Sequence, residues 1–182
     1  MSKLIDFESY PISPVLDRLL QDKTTKQNII FATDAYLENG PDFAETAQIT
    51  VDKLLGYMKI KIQPRVEKAA EEQLARTRKK AEVFTPSWIV NKMNNHCDEE
   101  WFGRPNVFNT EAGTSWVTSS APITFDRKLS WKGYVDSKRL EITCGEAPYI
   151  VSRYDAATGD IIPIKDRIGI LDRKLRVVSE NA

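Results

Sequence analysis

The sequence predicts an α+β fold: a helical N-terminal region over residues 1–80 and a small, sheet-containing partial α/β region over 81–182. Three observations predict it. Apolar residues recur at helical spacing in several segments before residue 80. A long stretch from 103 to 130, rich in Gly, Pro, Asn, Thr and Ser, then interrupts that spacing. Beyond it, Leu140 to Thr143 reads as a strand that runs into a turn at Cys144-Gly145.

Each element has a local reason. Ser13-Pro14 is a cap followed by a proline in the first helical position, and it opens a short helix. Val15, Leu16, Leu19 and Leu20 fall on one face of it. Asn28 to Thr33 fits a short strand and a helix start equally well. Asn39-Gly40-Pro41 is a break. From Ala44 to Met58 the spacing is helical again, through Ile49, Leu54, Leu55 and Met58. Pro64 opens PRVEKAAEEQLARTRKKA, which is full of good helix formers but poor in apolar residues. That predicts a largely exposed helix over 64–80, an arm or a partner-binding surface. Thr85-Pro86-Ser87 starts a helix carrying Trp88, Ile89, Val90 and Met93. Asp166 to Val178 predicts a final amphipathic helix.

Composition limits the function classes. With 182 residues, 41% apolar and 29% charged, the chain can bury a core. The 26 basic residues balance the 26 acidic ones, so the general basic excess of a dedicated nucleic-acid binder is absent. DNA or RNA contact would need a local patch. One candidate is Arg76, Arg78, Lys79 and Lys80, beside Phe84; a solvated helix end explains the same run. The other is Arg173, Lys174 and Arg176 in the last helix, with Lys165 and Arg167 before it.

Two cysteines and one histidine are too few for a disulfide framework or a structural zinc site, and fit a reducing compartment. The N-terminal residues show no apolar leader, and no stretch is long and apolar enough to span a bilayer. A protein of the bacterial cytoplasm, without a membrane partner, is expected. His96-Cys97-Asp98-Glu99-Glu100 has metal-ligand residue types, but consecutive helical residues point apart. A metal-dependent nuclease would draw on Asp126, Asp136, Lys138 and Glu141. Trp88, Trp101, Trp116 and Trp131 are expected as core or interface anchors.

Two stretches carry a resemblance: AEVFTPSWIVNKMNN at 81–95 and LEITCGEAPYIVSRYD at 140–155. With NIIFATDAY, RTRKKAEVFTP, DEEWFG and RIGILDRKLRVV in the same order, they resemble adenine-N6 DNA methyltransferases. These are the modification subunits of restriction–modification systems. The resemblance runs from about Asn28 onward. It implies that Phe84, Thr85 and Pro86 precede a helix closing over S-adenosylmethionine, and that Glu141 and Gly145 shape the methyl-donor loop. Ala147 stands where a second glycine is typical, and Pro148 removes an amide donor.

The family's catalytic (Asp/Asn)-Pro-Pro-(Tyr/Phe) segment has no counterpart, because the sequence contains no Pro-Pro pair. Glu146-Ala147-Pro148-Tyr149 comes nearest and overlaps the donor loop. The resemblance therefore implies an incomplete methyltransferase-like half with a vestigial donor loop, no catalytic residues and no resident metal. The expected function is a non-catalytic, methyltransferase-derived binding protein: an anti-defence inhibitor of a DNA-targeting nuclease, either a CRISPR effector or a restriction enzyme. It would act through protein contacts, DNA or RNA contacts, or both. A homodimer or another protein partner would cover the exposed helix and the sheet's open edges. No cofactor is expected on this reading. Two alternatives are a split or truncated modification subunit that binds S-adenosylmethionine, and a metal-dependent nuclease.

Overall fold

The computed structural model describes residues 6–57, 59–68, 83–126, 128–142 and 145–182. The chain forms two compact units, Met1–Gln63 and Pro64–Ala182. Most of the expected 64–80 helix, the 80/81 boundary, and Arg76, Arg78, Lys79 and Lys80 lie outside the described residues. The described fold is mixed: helices plus one small antiparallel sheet.

The first unit is built on short helices. A 3-10 turn at Ser13–Val15, with proline in its first turn, leads into α1, Leu16–Leu20. So short a helix buries only one side. Leu16 and Leu20 are buried, whereas Val15 and Leu19 remain exposed. The helix expected over 44–58 is confined to α2, Val51–Leu55. Thr50 caps its start by accepting the Lys53 amide, and Gly56 closes it by donating to the Asp52 carbonyl. Residues before α2 pair instead with the 28–33 segment, through an isolated bridge between Ile30 and Gln48. Leu16, Leu20, Phe31, Phe43, Ile49, Leu54 and Ile60 form the core of this unit.

The second unit holds the long elements. Helix α3, Ser87–Phe102, ends at Gly103, whose φ of +68° is the left-handed conformation of a helix stop. Strands β1, Asn109–Ala112, and β2, Ser115–Thr118, pair antiparallel with Ala112 opposite Ser115. Gly113, at φ +63°, takes the first turn position, where a tight hairpin demands a positive φ. This hairpin lies inside the stretch expected to be irregular. Helix α4, Trp131–Asp136, follows, with Ser130 accepting the Gly133 amide as its cap. Helix α5, Ile170–Asn181, starts four residues later than the sequence predicts.

The expected strand at Leu140–Thr143 is a correction. Leu140 to Ile142 are irregular, with Leu140 and Ile142 exposed at 83% and 74%. Thr143 lies outside the described residues, and among those described no strand pairs with Leu140 to Ile142; the Glu141 side chain instead accepts the Ile150 amide at 3.2 Å. Among the described residues, β1 and β2 are the only strands.

An aromatic core of Phe102, Phe108 and Tyr134, with Ile123 and Val177, fills the second unit. Trp101 packs edge-on against it, 5.1 Å from the Tyr134 ring. Beside this core the buried face of α3 is polar. Asn91, Asn94 and Asp98 are buried there, while Met93 is exposed. The partner that makes this tolerable is Arg173 of α5, itself buried. Its Nη1 donates to Asp98 Oδ2 at 2.6 Å, and its Nη2 donates to Asn91 Oδ1 and Asn95 Oδ1, both at 2.8 Å. Tyr134 donates its hydroxyl to Asp98 Oδ1 at 3.0 Å. Asn91 and Asn109 exchange amide bonds at 2.8 and 2.9 Å, tying β1 into the network. The Phe108 ring lies 5.1 Å from the Arg173 guanidinium carbon.

Among the described residues, no helix is long and apolar enough to cross a membrane.

Removing one side of a buried ion pair leaves the other uncompensated, at a cost of about 3–5 kcal/mol. Arg173→Met is expected to destabilise the second unit by that amount. Arg173→Lys should cost less, because an ammonium keeps the attraction to Asp98 but cannot fork to both asparagines. All four tryptophans lie in the second unit, so urea unfolding followed by tryptophan fluorescence reports on it selectively. A change below about 1 kcal/mol for Arg173→Met would show that the network does not hold the unit together.

Candidate functional site

The two motif stretches meet in space. A β-carbon built on Gly145 would stand 3.1 Å from Cε1 of Phe84, so the ring lies against bare backbone. Gly145 has φ +53°, and Ala147 has φ +52°. Ala147 therefore adopts a conformation that favours glycine, at a cost of about 1–2 kcal/mol for an L-residue. Neither amide is donated to another described backbone carbonyl. Glu141 reaches across this loop to the Ile150 amide. Burial pushes its carboxyl above the ordinary glutamate range, and bonds from the Ile150 and Tyr149 amides only partly offset this.

The segment after the loop starts both long helices. The Tyr149 and Ile150 carbonyls accept the Ile170 and Leu171 amides at 2.8 and 2.9 Å, supplying partners for the open end of α5. Asn94 of α3 donates to the carbonyls of Tyr149 and Ile168 at 3.0 and 2.9 Å. Ser152, buried, accepts the Ile168 and Gly169 amides at 2.7 and 2.9 Å. Pro86 has no side chain that can cap α3, so Asp155 serves from a distance. Its Oδ2 accepts the Ser87 amide at 2.6 Å, and its Oδ1 accepts the Ala157 and Thr158 amides at 2.8 and 2.9 Å. Burial pushes the Asp155 carboxyl up. The bonds from Ser87, Thr158 and Ala157 outweigh that and hold it below the ordinary range.

A cleft of about 580 Å³ opens at this junction. Pro86, Ser87 and Trp88 form one side, the hairpin from Thr114 to Trp116 another, and residues between Asp155 and Asp166 the rest. Asp155, Asp160 and Asp166 line it, and among the described residues no lysine, arginine or histidine does. Of the five residues expected to shape the donor site, Pro86 borders this cleft; Phe84 and Gly145 meet each other. Thr85 is half-buried between them in sequence.

Of the second basic set, Arg173 is a correction, because it is buried; Arg167, Lys174 and Arg176 are half-buried and Lys165 is exposed. Arg173 is buried in the network with Asp98. Lys174 donates through Nζ to the Ser137 carbonyl, and burial first, then the neighbouring Arg139, lowers its pKa. Arg176 donates to Glu180 Oε1 at 2.7 Å and to the Ser119 and Ala121 carbonyls, each at 2.9 Å. The sequence held a signal for Arg173. Ile170, Arg173 and Val177 share one helical stripe, and all three are buried. Asp155 carried no such signal, because its role depends on a contact 68 residues away.

Among the described residues, no group of three or more His, Cys, Asp or Glu is placed to hold a metal ion. Cys97 is an exposed free thiol, and its neighbour Asp98 faces the core. Trp101 and Trp131 pack on the aromatic core, as anchors would, whereas Trp88 and Trp116 border the cleft. Comparison of the chain with known protein families, curated proteins and solved structures found no match.

The two carboxyls should give opposite pH signatures. Asp155, with a lowered pKa, contributes stability above its unfolded value, and that contribution fades as pH falls through the folded one. Asp155→Asn should therefore cost about 1 kcal/mol at pH 7, as loss of a helix cap does. The difference from wild type should shrink toward pH 3. Glu141, with a raised pKa, favours the fold below its unfolded value, and this is lost as pH rises through the folded one. Glu141→Gln should raise the melting temperature at pH 7 more than at pH 4. Thermal melts of the three proteins across pH check both signs. Ala147→Gly, which relieves the left-handed strain, should raise the melting temperature too.

Proposed function

We propose that this chain is a methyl-donor-binding portion of a DNA adenine modification subunit, a partial methyltransferase rather than a complete one. The contact between Phe84 and Gly145 carries this reading, because it joins the two segments that the resemblance assigns to one pocket. The residues fit the group. A bare glycine faces an aromatic ring, two left-handed positions, Gly145 and Ala147, turn the loop, and an acidic side chain stands beside it. Phe84, Gly145 and Glu141 would hold S-adenosylmethionine, which supplies an activated methyl group when bound. The sequence has no Pro-Pro element to grip an adenine. Methyl transfer would need that element from outside these residues.

Calorimetry with S-adenosylmethionine tests the proposal. Binding in the micromolar range is expected, weakened at least about tenfold by Gly145→Ala, since the added methyl meets Phe84. A heat signal absent at millimolar cofactor would overturn it.

A second reading keeps the expected inhibitor of a DNA-targeting nuclease, and the acidic cleft favours it. Such nucleases hold basic surfaces to bind phosphates, and three aspartates with no cation among the described lining residues complement a basic surface. Pull-down against restriction and CRISPR effector complexes tests this; absence of capture, with nuclease activity unchanged by the chain, would sink it.

A further inference from the structure

The cleft beside α3 has a composition that selects its ligand. Two half-buried tryptophans, Trp88 and Trp116, border it together with Asp155, Asp160 and Asp166. The walls are set by bonds already made. Trp116 donates its indole N–H to the Asp166 carbonyl at 2.8 Å, and the Thr118 hydroxyl donates to Asp166 Oδ1 at 2.8 Å. The Thr158 hydroxyl donates to Asp160 Oδ2 at 2.7 Å. Asp155 is spent on three amides. That leaves one oxygen each on Asp160 and Asp166 without a bond from any described residue.

An anion would face three carboxylates here. Among the described residues no lysine, arginine or histidine lines the cleft, and Asp155 already takes the Ser87 amide that opens α3. A cation with an apolar stem is complementary to all of these features. Guanidinium suits the set better than ammonium, because it stacks on indole faces and presents several donors in one plane to carboxylates. The volume, about 580 Å³, falls within the range of pockets that enclose side chains and small ligands.

We propose that this cleft receives an arginine side chain of a partner protein, its stem against Trp88 and Trp116 and its guanidinium on the open oxygens of Asp160 and Asp166. The proposal rests on the acidic cleft of the second reading above, but not on the partner being a nuclease, and it is independent of methyl-donor binding.

The probe is the peptide acetyl-Gly-Arg-Gly-amide, titrated into the full chain beside its citrulline counterpart, which keeps the shape without the charge. The indole N–H resonances of Trp88 and Trp116, assigned with Trp88→Phe and Trp116→Phe, report on the site. The arginine peptide should shift both resonances, and the citrulline peptide should bind at least about tenfold more weakly. Asp160→Asn with Asp166→Asn should weaken the arginine peptide at least about tenfold, while circular dichroism stays as in wild type.

Equal response to both peptides overturns the proposal on the wild-type chain alone, whatever the variants do. So does undiminished binding in a folded double variant. Identical shifts from Mg²⁺, with no response to the arginine peptide, would make the cleft a metal site instead. A positive titration with a failed nuclease pull-down would retain the arginine pocket and discard the nuclease as partner.

Discussion

The pairing of Arg173 with Asp98 is the constraint on which the second unit depends. A guanidinium removed from water needs its charge answered at close range, and here both Nη groups of Arg173 are met while its buried Nε finds no partner among the described residues. Asp98 answers the charge, and Asn91 and Asn95 accept from the other end of the fork. Asn109 then has to meet Asn91, which fixes the hairpin against α3, and Tyr134 has to meet Asp98, which fixes α4. Each element is thus oriented by a polar bond, and the aromatic rings fill the space those bonds define. Polar networks of this kind are geometrically demanding. They set the arrangement more sharply than apolar contact alone would.

The loop from Glu141 to Asp160 has a second organising role. It gives carbonyl partners to the first amides of α5 and a carboxylate to the first amide of α3. Neither helix begins with a side-chain cap of its own. The proposed donor pocket and the proposed arginine cleft therefore flank the same structural junction. Ligands at either place would act on segments that also terminate helices, so their binding would be felt as added stability of the whole unit.

Elements governed by local chemistry were legible in the sequence. The proline after Ser13, the Thr85-Pro86-Ser87 start and the apolar spacing of the last helix all mark real helices. What was not legible depends on distant partners. Asn91, Asn94 and Asp98 look like a solvated face until Arg173 is placed opposite them. Arg173, Lys174 and Arg176 look like a basic patch until Asp98, Ser137 and Glu180 are seen to engage them. The hairpin was hidden because its strands are short and mostly exposed, so they show little apolar alternation. For the candidate site, the resemblance singled out Phe84, Thr85, Pro86, Glu141 and Gly145, and the contact between Phe84 and Gly145 is seen only in the fold. Asp155, Trp88 and Trp116 as neighbours in one cleft follow only from the tertiary contacts.

The long span between Asp98 and Arg173, 75 residues, also bears on how the chain acquires its structure. Helix α5 follows every other element in sequence, so on a ribosome Asp98, Asn91 and Tyr134 emerge well before their common partner. Until then the polar face of α3 is better served by water than by the aromatic core, and the nascent unit has reason to stay open. Contacts of such high sequence separation are slow to form and come late. Arg173 thus joins the last helix to residues made much earlier, and the order of the unit depends on the segment that emerges last.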